Sequence, residues 1–337
     1  MTQMRGATIT GIGVGVPDGE LDNAELAARL SVSEEWIFGR TGISSRHIVD
    51  DSESSSSLGT IAARRALEHA GLVADDLDAI IVATISPDLQ FPATACLIQD
   101  AIGASKAAAF DLGAGCSGFL FALAQAKALV ESGSSGRVLV VGADVLSRFT
   151  DYTDARSSIL FGDGAGAAVV EAIDAPSEIG RFVLRTDGSK PELLCVPKER
   201  PFIQMNGREV YKAAVAGMAE VVTEALSVEG LTASGGAWLV AHQANARILD
   251  AVARRLEWPE DRVIVNIDHY GNTSSASIPL ALHEAMSDGR LQDGDDVMLT
   301  AFGAGFAWGA GLVRWRIPAP VERKDTATDS KRESLHV

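Results

Sequence analysis

The chain is 337 residues long, 47% hydrophobic and 22% charged, and carries a net charge of −16. These values fit a soluble globular protein with room for a large core, as one domain or two fused halves. The acidity excludes non-specific nucleic-acid binding, and no apolar run approaches the roughly 18 residues of a membrane span. The start, MTQMRGATITGIG, lacks the basic region and long apolar segment of a secretion signal. Cys96, Cys116 and Cys195 are too few and too widely spaced for a disulfide framework or a zinc site. A cytoplasmic protein with no bound metal is the expectation.

In chain order, ATITGIGVGV (7–16) reads as a strand ending in a glycine-rich turn. Gly11, Gly13 and Gly15 suggest a dinucleotide site, but Pro17 and the Asp-Gly after it break the helix such a site needs. Short helices start at Asn23 and after the polar cap Ser33, and a turn follows at 40–43. The serine-rich stretch 50–57 reads as an exposed loop. A helix over 59–70 stops at Gly71. The nearly all-apolar run 78–85 predicts a strand in a sheet covered on both faces. A loop (87–92), a helix (93–102) and a strand (107–112) lead into GAGCSGF (113–119).

There a glycine-rich turn presents Cys116 at the start of an apolar helix (119–130). A helix N-terminus favours the thiolate, the reactive form of a strong nucleophile. A buried strand, 137–143, comes next. The second half then repeats the first at a constant offset of 159. Ala66-Leu67 matches Ala225-Leu226, and Ile80-Ile81-Val82 matches Leu239-Val240-Ala241. Phe119, Ala122 and Leu123 match Ile278, Ala281 and Leu282, and Val138-Leu139-Val140 matches Val297-Met298-Leu299. Four matches in one register imply duplication of a roughly 150-residue unit. The fold class is therefore α/β, with two pseudo-symmetric halves, 1–172 and 173–318. The polar segment 319–337 reads as a disordered tail. The same offset sets Cys116 opposite Ser275 and Gly113 opposite Asn272, so GNTSSAS (271–277) mirrors the nucleophile turn. His242 ends the strand WLVAH, at the sheet edge where functional groups gather.

These motifs occur in one order with WIFGRTGISSRHI (36–48), FGDGAGAAV (161–169), HQAN (242–245) and FGAGFAWG (302–309). Over residues 7–317 the set resembles β-ketoacyl-acyl-carrier-protein synthase III, a family of thiolase-fold condensing enzymes. The resemblance implies a layered α-β-α-β-α core and a catalytic triad of Cys116, His242 and Asn272. It implies transfer of an acyl group from acyl-CoA to the cysteine. Decarboxylative condensation with malonyl-acyl-carrier protein then gives a 3-ketoacyl-carrier protein, without a cofactor. The family's oxyanion hole corresponds to the N–H groups of Cys116 and Ala304, the latter where many relatives have glycine. Trp36 and Arg40 match contacts to the CoA nucleotide. Arg156 sits one place from another such position, and Arg208 is grouped with them. Phe91 matches a residue that crosses a homodimer interface to the partner's acyl tunnel, and Phe161 is placed at the acyl site. The proposed chemistry suits the residues: decarboxylation leaves an enolate, which two neutral donors in a dry site stabilise as its charge develops.

Lys212, Arg247, Arg254 and Arg255, together with Arg208, stand out against the acidic background and suggest docking of an acidic carrier protein. Cys96 and Cys195 read as core filling, and His69, His269 and His283 as surface or structural groups. FGDGAG lacks the Lys-Ser/Thr end of a phosphate loop and reads as a tight structural turn. Housekeeping fatty-acid initiation and a pathway-specific starter enzyme both stay open. So does an acyltransferase on the same fold that moves acyl groups to an alcohol, an amine or a carrier protein. A non-catalytic partner subunit is disfavoured by the presence of Cys116.

Overall fold

Runs such as AIIVA and RVLVV bury both faces of each strand, because alternate side chains point to opposite sides of a sheet. The computed structural model describes residues 5–317, and the tail expected at 319–337 lies outside them. Along the chain run β1 (Gly6–Gly15), β2 (Glu20–Asp22), α1 (Asn23–Leu30), α2 (Glu34–Thr41), β3 (Ser45–His47), α3 (Ser55–Ala70), β4 (Ala79–Ala83), α4 (Thr94–Ile102), β5 (Ala108–Leu112), α5 (Gly118–Glu131), β6 (Arg137–Val145) and β7 (Asp163–Ile173). Then come β8 (Val183–Thr186), β9 (Leu194–Cys195), β10 (Gln204–Met205), α6 (Gly207–Glu229), β11 (Trp238–Ala241), α7 (Ala246–Arg255), α8 (Ile267–Tyr270), α9 (Ser277–Ser287), β12 (Asp296–Gly303) and β13 (Ala307–Arg314).

Two sheets carry the fold. The first has the order β1-β7-β6-β4-β5; the second, read the same way, is β8-β13-β12-β11. β4 runs parallel to β5 and β6, as β11 does to β12, while β7 and β13 are antiparallel to their neighbours. β4 and β11 start at 79 and 238, α5 and α9 at 118 and 277, β6 and β12 at 137 and 296, each 159 apart. In place of β5 the second sheet has, among the described residues, a single parallel bridge from Leu239 to Val263.

Alternation along the strands builds five layers. Ile81 and Val140 face inward and meet Phe119 and Leu123 of α5, Ile278 and Leu282 of α9, and Val240 and Leu299 of the second sheet. Their neighbours Ile80 and Leu139 face outward and pack with Leu58 and Ala62 of α3 and Ile98 of α4. On the far side Leu239 and Met298 meet Val222 and Leu226 of α6 and Ala253 of α7. Each fully buried aliphatic side chain contributes about 2 kcal/mol, so the helix pair α5/α9, covered on both sides, anchors the molecule.

Two expectations are corrected. The stretch 50–57 is not all loop: α3 begins at Ser55. Ser57 N donates to Ser54 Oγ at 3.3 Å and Ser54 N to Ser57 Oγ at 2.8 Å, a reciprocal cap built from serines. From Asp163 on, the FGDGAG segment is strand β7 rather than a tight turn, and its Gly166 lies so close to Pro279 of α9 that a Cβ would not fit. Among the described residues no helix is long and apolar enough to cross a membrane. The edge strand β5 leaves Phe110 exposed, and Ile85, Leu89 and Phe91 after β4 are exposed as well.

Ser54→Ala removes one half of the cap and is expected to cost about 1 kcal/mol. Thermal unfolding should fall by about 1–2 °C; an unshifted midpoint contradicts the capping assignment.

Candidate active site

The two halves meet at two short 3₁₀ turns. Gly115–Ser117 precedes α5, and Ser274–Ala276 precedes α9. They touch each other between the sheets. Gly115 takes a positive φ of 57° that a side chain would oppose. The Cys116 turn also lies hard against the end of β12: a Cβ on Gly303 would stand 2.4 Å from Cys116 N. Ala304, next in line, shares the cavity wall with Cys116. Its nitrogen would stand 2.7 Å from a Cβ on Gly115, so the backbone of Ala304 abuts the turn that carries Cys116.

His242 follows β11, its N–H bonded to Thr300 O at 2.8 Å. The ring is buried. Its Nδ1 lies 2.7 Å from Ser277 Oγ, the first residue of α9, and Gln243 N donates to that same oxygen at 3.2 Å. Gln243 N–H fills one lone pair of Ser277 Oγ, and among the described residues Nδ1 is the one acceptor within reach of its hydroxyl proton, so the network is fully satisfied when Ser277 donates to Nδ1. The network therefore assigns the ring proton to Nε2, the nitrogen left for the cavity that His242 lines. Burial pushes the imidazole down to about 3, so the ring is neutral throughout the physiological range.

Asn272 is held by its backbone and its amide. Its N–H donates to Leu160 O at 2.8 Å, and Gly162 N donates to its carbonyl at 3.1 Å. Its side-chain oxygen accepts from Ser274 N at 3.0 Å. That bond fixes the amide's orientation and leaves its NH2 group as the donor. Cys116, His242 and Asn272 all line one cavity of about 1090 Å³.

The site is electrostatically neutral. Burial pushes the Cys116 thiol up to about 11, and the nearby Asp144 carboxylate pushes the same way. The thiolate expected from the helix terminus is not the resting form. Cys116 stands in the 3₁₀ turn ahead of α5, where its burial favours the neutral thiol. A buried thiol, a neutral imidazole and an amide can form and cleave a thioester and donate to an enolate oxygen. They do not form a standing ion pair.

Other expected residues divide by position. Phe161 lines the cavity, as do Trp36, Arg40, Arg156, Arg208, Lys212 and Arg247 towards its mouth. Arg40 lies 4.4 Å over the Trp36 ring. Arg156 forks onto Asp154 with two 2.9 Å bonds, so its charge is already engaged. Lys212 pairs with Glu209 at 2.9 Å. Arg254 and Arg255 are exposed in the last turn of α7, outside the cavity wall, where they complement the helix dipole. Phe91 is 82% exposed and absent from its own chain's cavity wall. Among the described residues no group of His, Cys, Asp and Glu could hold a metal ion.

Sequence reasoning missed several groups. Cys195 is not core filling: β9 places it in the cavity wall with Ile203 and Met205. Ser277 lay inside GNTSSAS, but its link to His242 crosses 35 residues and no spacing rule reveals it. Arg46 is fully buried and donates to Leu21 O, Asn23 Oδ1 and Ile159 O at 3.1, 3.0 and 2.9 Å, bracing the segment that leads to Phe161.

A five-layered pair of like halves, with a cysteine, a neutral histidine and an amide converging where they join, defines a thiolase-fold condensing enzyme. A family model described as 3-oxoacyl-[acyl-carrier-protein (ACP)] synthase III matches residues 110–188, and one for its C-terminal part matches 226–315. The β-ketoacyl-[acyl-carrier-protein] synthase III of Rhodospirillum centenum is 47% identical over 319 residues, 92% of this chain and 99% of that protein. The crystal structure of 3-oxoacyl-[acyl-carrier-protein] synthase III from Aquifex aeolicus superposes with a TM-score of 0.89 at 43% identity, over 92% of this chain and 100% of that one. The priming β-ketosynthase of the R1128 polyketide biosynthetic pathway superposes at 0.90 with 37% identity, over 94% and 98%. The chain belongs to the β-ketoacyl-acyl-carrier-protein synthase III family and is an acyl-transferring condensing enzyme.

Alkylation of Cys116 by iodoacetamide, followed by intact mass, is expected to speed up about tenfold per pH unit between about pH 7 and 10. A plateau with its midpoint below about pH 8 would contradict the raised thiol. Ser277→Ala should slow condensation roughly 10–100-fold while acylation of Cys116 stays within about threefold. Equal losses in the two steps would show that Ser277 does not act through the ring's protonation.

Proposed function

We propose that the chain is a β-ketoacyl-acyl-carrier-protein synthase III that starts fatty-acid chains. It would use acyl-CoA as donor and malonyl-acyl-carrier protein as extender. The observation that carries this reading is the pair of neutral donors, His242 Nε2–H and the Asn272 NH2 group, in one cavity with Cys116. In the first half-reaction the Cys116 sulfur attacks the acyl-CoA carbonyl, and the N–H groups of Cys116 and Ala304 receive the oxyanion. CoA leaves as a thiol, taking the proton that Cys116 loses. In the second, malonyl-carrier protein loses CO2, and the enolate oxygen is met by His242 and Asn272. The enolate carbon then attacks the acyl thioester. The Cys116 thiolate departs and takes up one proton from solvent, giving 3-ketoacyl-carrier protein.

The surroundings support matching roles. Trp36, Arg40, Arg156 and Arg208 at the mouth would receive the CoA nucleotide, Arg156 after exchanging its Asp154 partner for phosphate. Lys212 and Arg247, with Arg254 and Arg255 further along α7, would guide the acidic carrier protein. The exposed β5 edge, with Phe91, Leu89 and Phe110, suits pairing with a second copy. Phe91 would then reach the partner's acyl cavity, beside Phe161. The nucleophile belongs to half 1–172, and His242 and Asn272 to half 173–318. The reading includes no cofactor and a cytoplasmic homodimer. Likeness to a priming β-ketosynthase supports a second reading, the supply of a starter unit to a specialised pathway.

Incubation with a panel of acyl-CoAs, read by intact mass before and after malonyl-carrier protein, tests this. One acyl mass is expected on Cys116, absent in Cys116→Ala and discharged as 3-ketoacyl-carrier protein with CO2. Removing a single donor, as in Asn272→Ala, should cut that discharge about 100–1,000-fold. An adduct that malonyl-carrier protein never discharges overturns condensation and favours transfer to another acceptor.

A further inference from the structure

Asp144, near the end of β6, is fully buried. One carboxylate oxygen accepts from Ile85 N at 2.8 Å, Ser86 Oγ at 3.0 Å and Thr84 Oγ1 at 3.1 Å. The other accepts from Ser275 Oγ at 2.6 Å and Ser275 N at 3.1 Å. None of these donors is a cation. The carboxylate thus ties the loop after β4, whose Ile85 lines the cavity, to the turn that follows Asn272.

The duplication gives this contact a meaning. The offset of 159 relates Cys116 to Ser275, and it relates Asp144 to Gly303. In the second half's turn the N–H of Ser275 is therefore covered by a carboxylate oxygen. In the first half's turn the residue over the N–H of Cys116 is a glycine, where any Cβ would stand 2.4 Å from that nitrogen. One turn keeps its N–H for a substrate oxyanion; its twin has the place filled from within.

We propose that Asp144 is a positioning residue for the condensation step. Its carboxylate is a built-in oxyanion that locks the Ser274–Ser275 turn and so aims the Asn272 amide. Ser274 carries a positive φ of 51°, a conformation that a non-glycine residue keeps only when its surroundings hold it there. The bonds on either side do so: Ser274 N to Asn272 Oδ1 at 3.0 Å, and Ser275 N to Asp144. Two residues before Asp144 on the same face of β6, Gly142 presses on the turn as well: a Cβ there would lie 2.4 Å from Ser275 O. Without the carboxylate, the strained residue can relax and the Asn272 amide loses its fixed direction. The inference rests on the reading of Asn272 as the enolate donor.

The test separates the half-reactions in the full-length protein. Acyl transfer to Cys116 is read by intact mass, and CO2 release from malonyl-carrier protein by trapped label. Asp144→Asn keeps the shape but turns an amide towards one set of donors. It is expected to slow CO2 release about 10–100-fold and leave acylation within about threefold. In an Asn272→Ala background it should cost nothing more, because it acts through Asn272. Equal loss of both half-reactions, or a further multiplicative loss in the double variant, overturns the proposal. Full CO2 release by Asn272→Ala would instead remove the Asn272 reading on which it stands, whereas normal CO2 release by Asp144→Asn sinks the role of Asp144 alone. Should Asp144→Asn fail to fold, Ser275→Ala decides: a roughly 3–10-fold loss confined to CO2 release supports the proposal, and no loss, or equal losses, overturns it.

Discussion

Backbone pressed on backbone is the constraint on which this structure depends. The turn carrying Cys116 rests on Gly303, and the turn after Asn272 rests on Gly142, each with no space for a Cβ. Close approach of this kind fixes positions to a fraction of an ångström without spending side chains on it. It also explains why the reacting groups come from loops yet stand on the stiffest part of the fold, between two sheets and against the paired helices α5 and α9.

The second theme is neutrality. Desolvation raises the Cys116 thiol and lowers the His242 imidazole, so neither is charged before substrate arrives. A charged pair in a buried site costs desolvation energy; neutral donors do not, and they act when an oxyanion or enolate develops charge. Asp144, the buried carboxylate beside this site, satisfies itself with hydrogen-bond donors from both halves rather than with a cation.

Much of this was readable in the residues. The 159-residue offset between AIIVA and WLVA and between their helices foretold two sheets of like order, because buried strands need continuous apolar runs and duplicated runs keep their spacing. GAGCSGF, HQAN and GNTSSAS marked groups that the fold places in one cavity. The start of α3 was missed because serine signals both loops and caps, and only the reciprocal bonds of Ser54 and Ser57 tell them apart. The protonation of Cys116 was misjudged because a helix dipole is local in sequence, whereas burial is set by residues far along the chain. Ser277 and Asp144 act through contacts 35 and 131 residues apart, which no local pattern carries.

The central claim is that decarboxylation belongs to the neutral donors and acylation to the cysteine. The most direct test is CO2 release from malonyl-carrier protein by Cys116→Ala, with no acyl-CoA present. The account predicts that release continues, yielding acetyl-carrier protein, and that adding Asn272→Ala cuts it about 100–1,000-fold. Loss of release in Cys116→Ala alone, or undiminished release in the double variant, would contradict it.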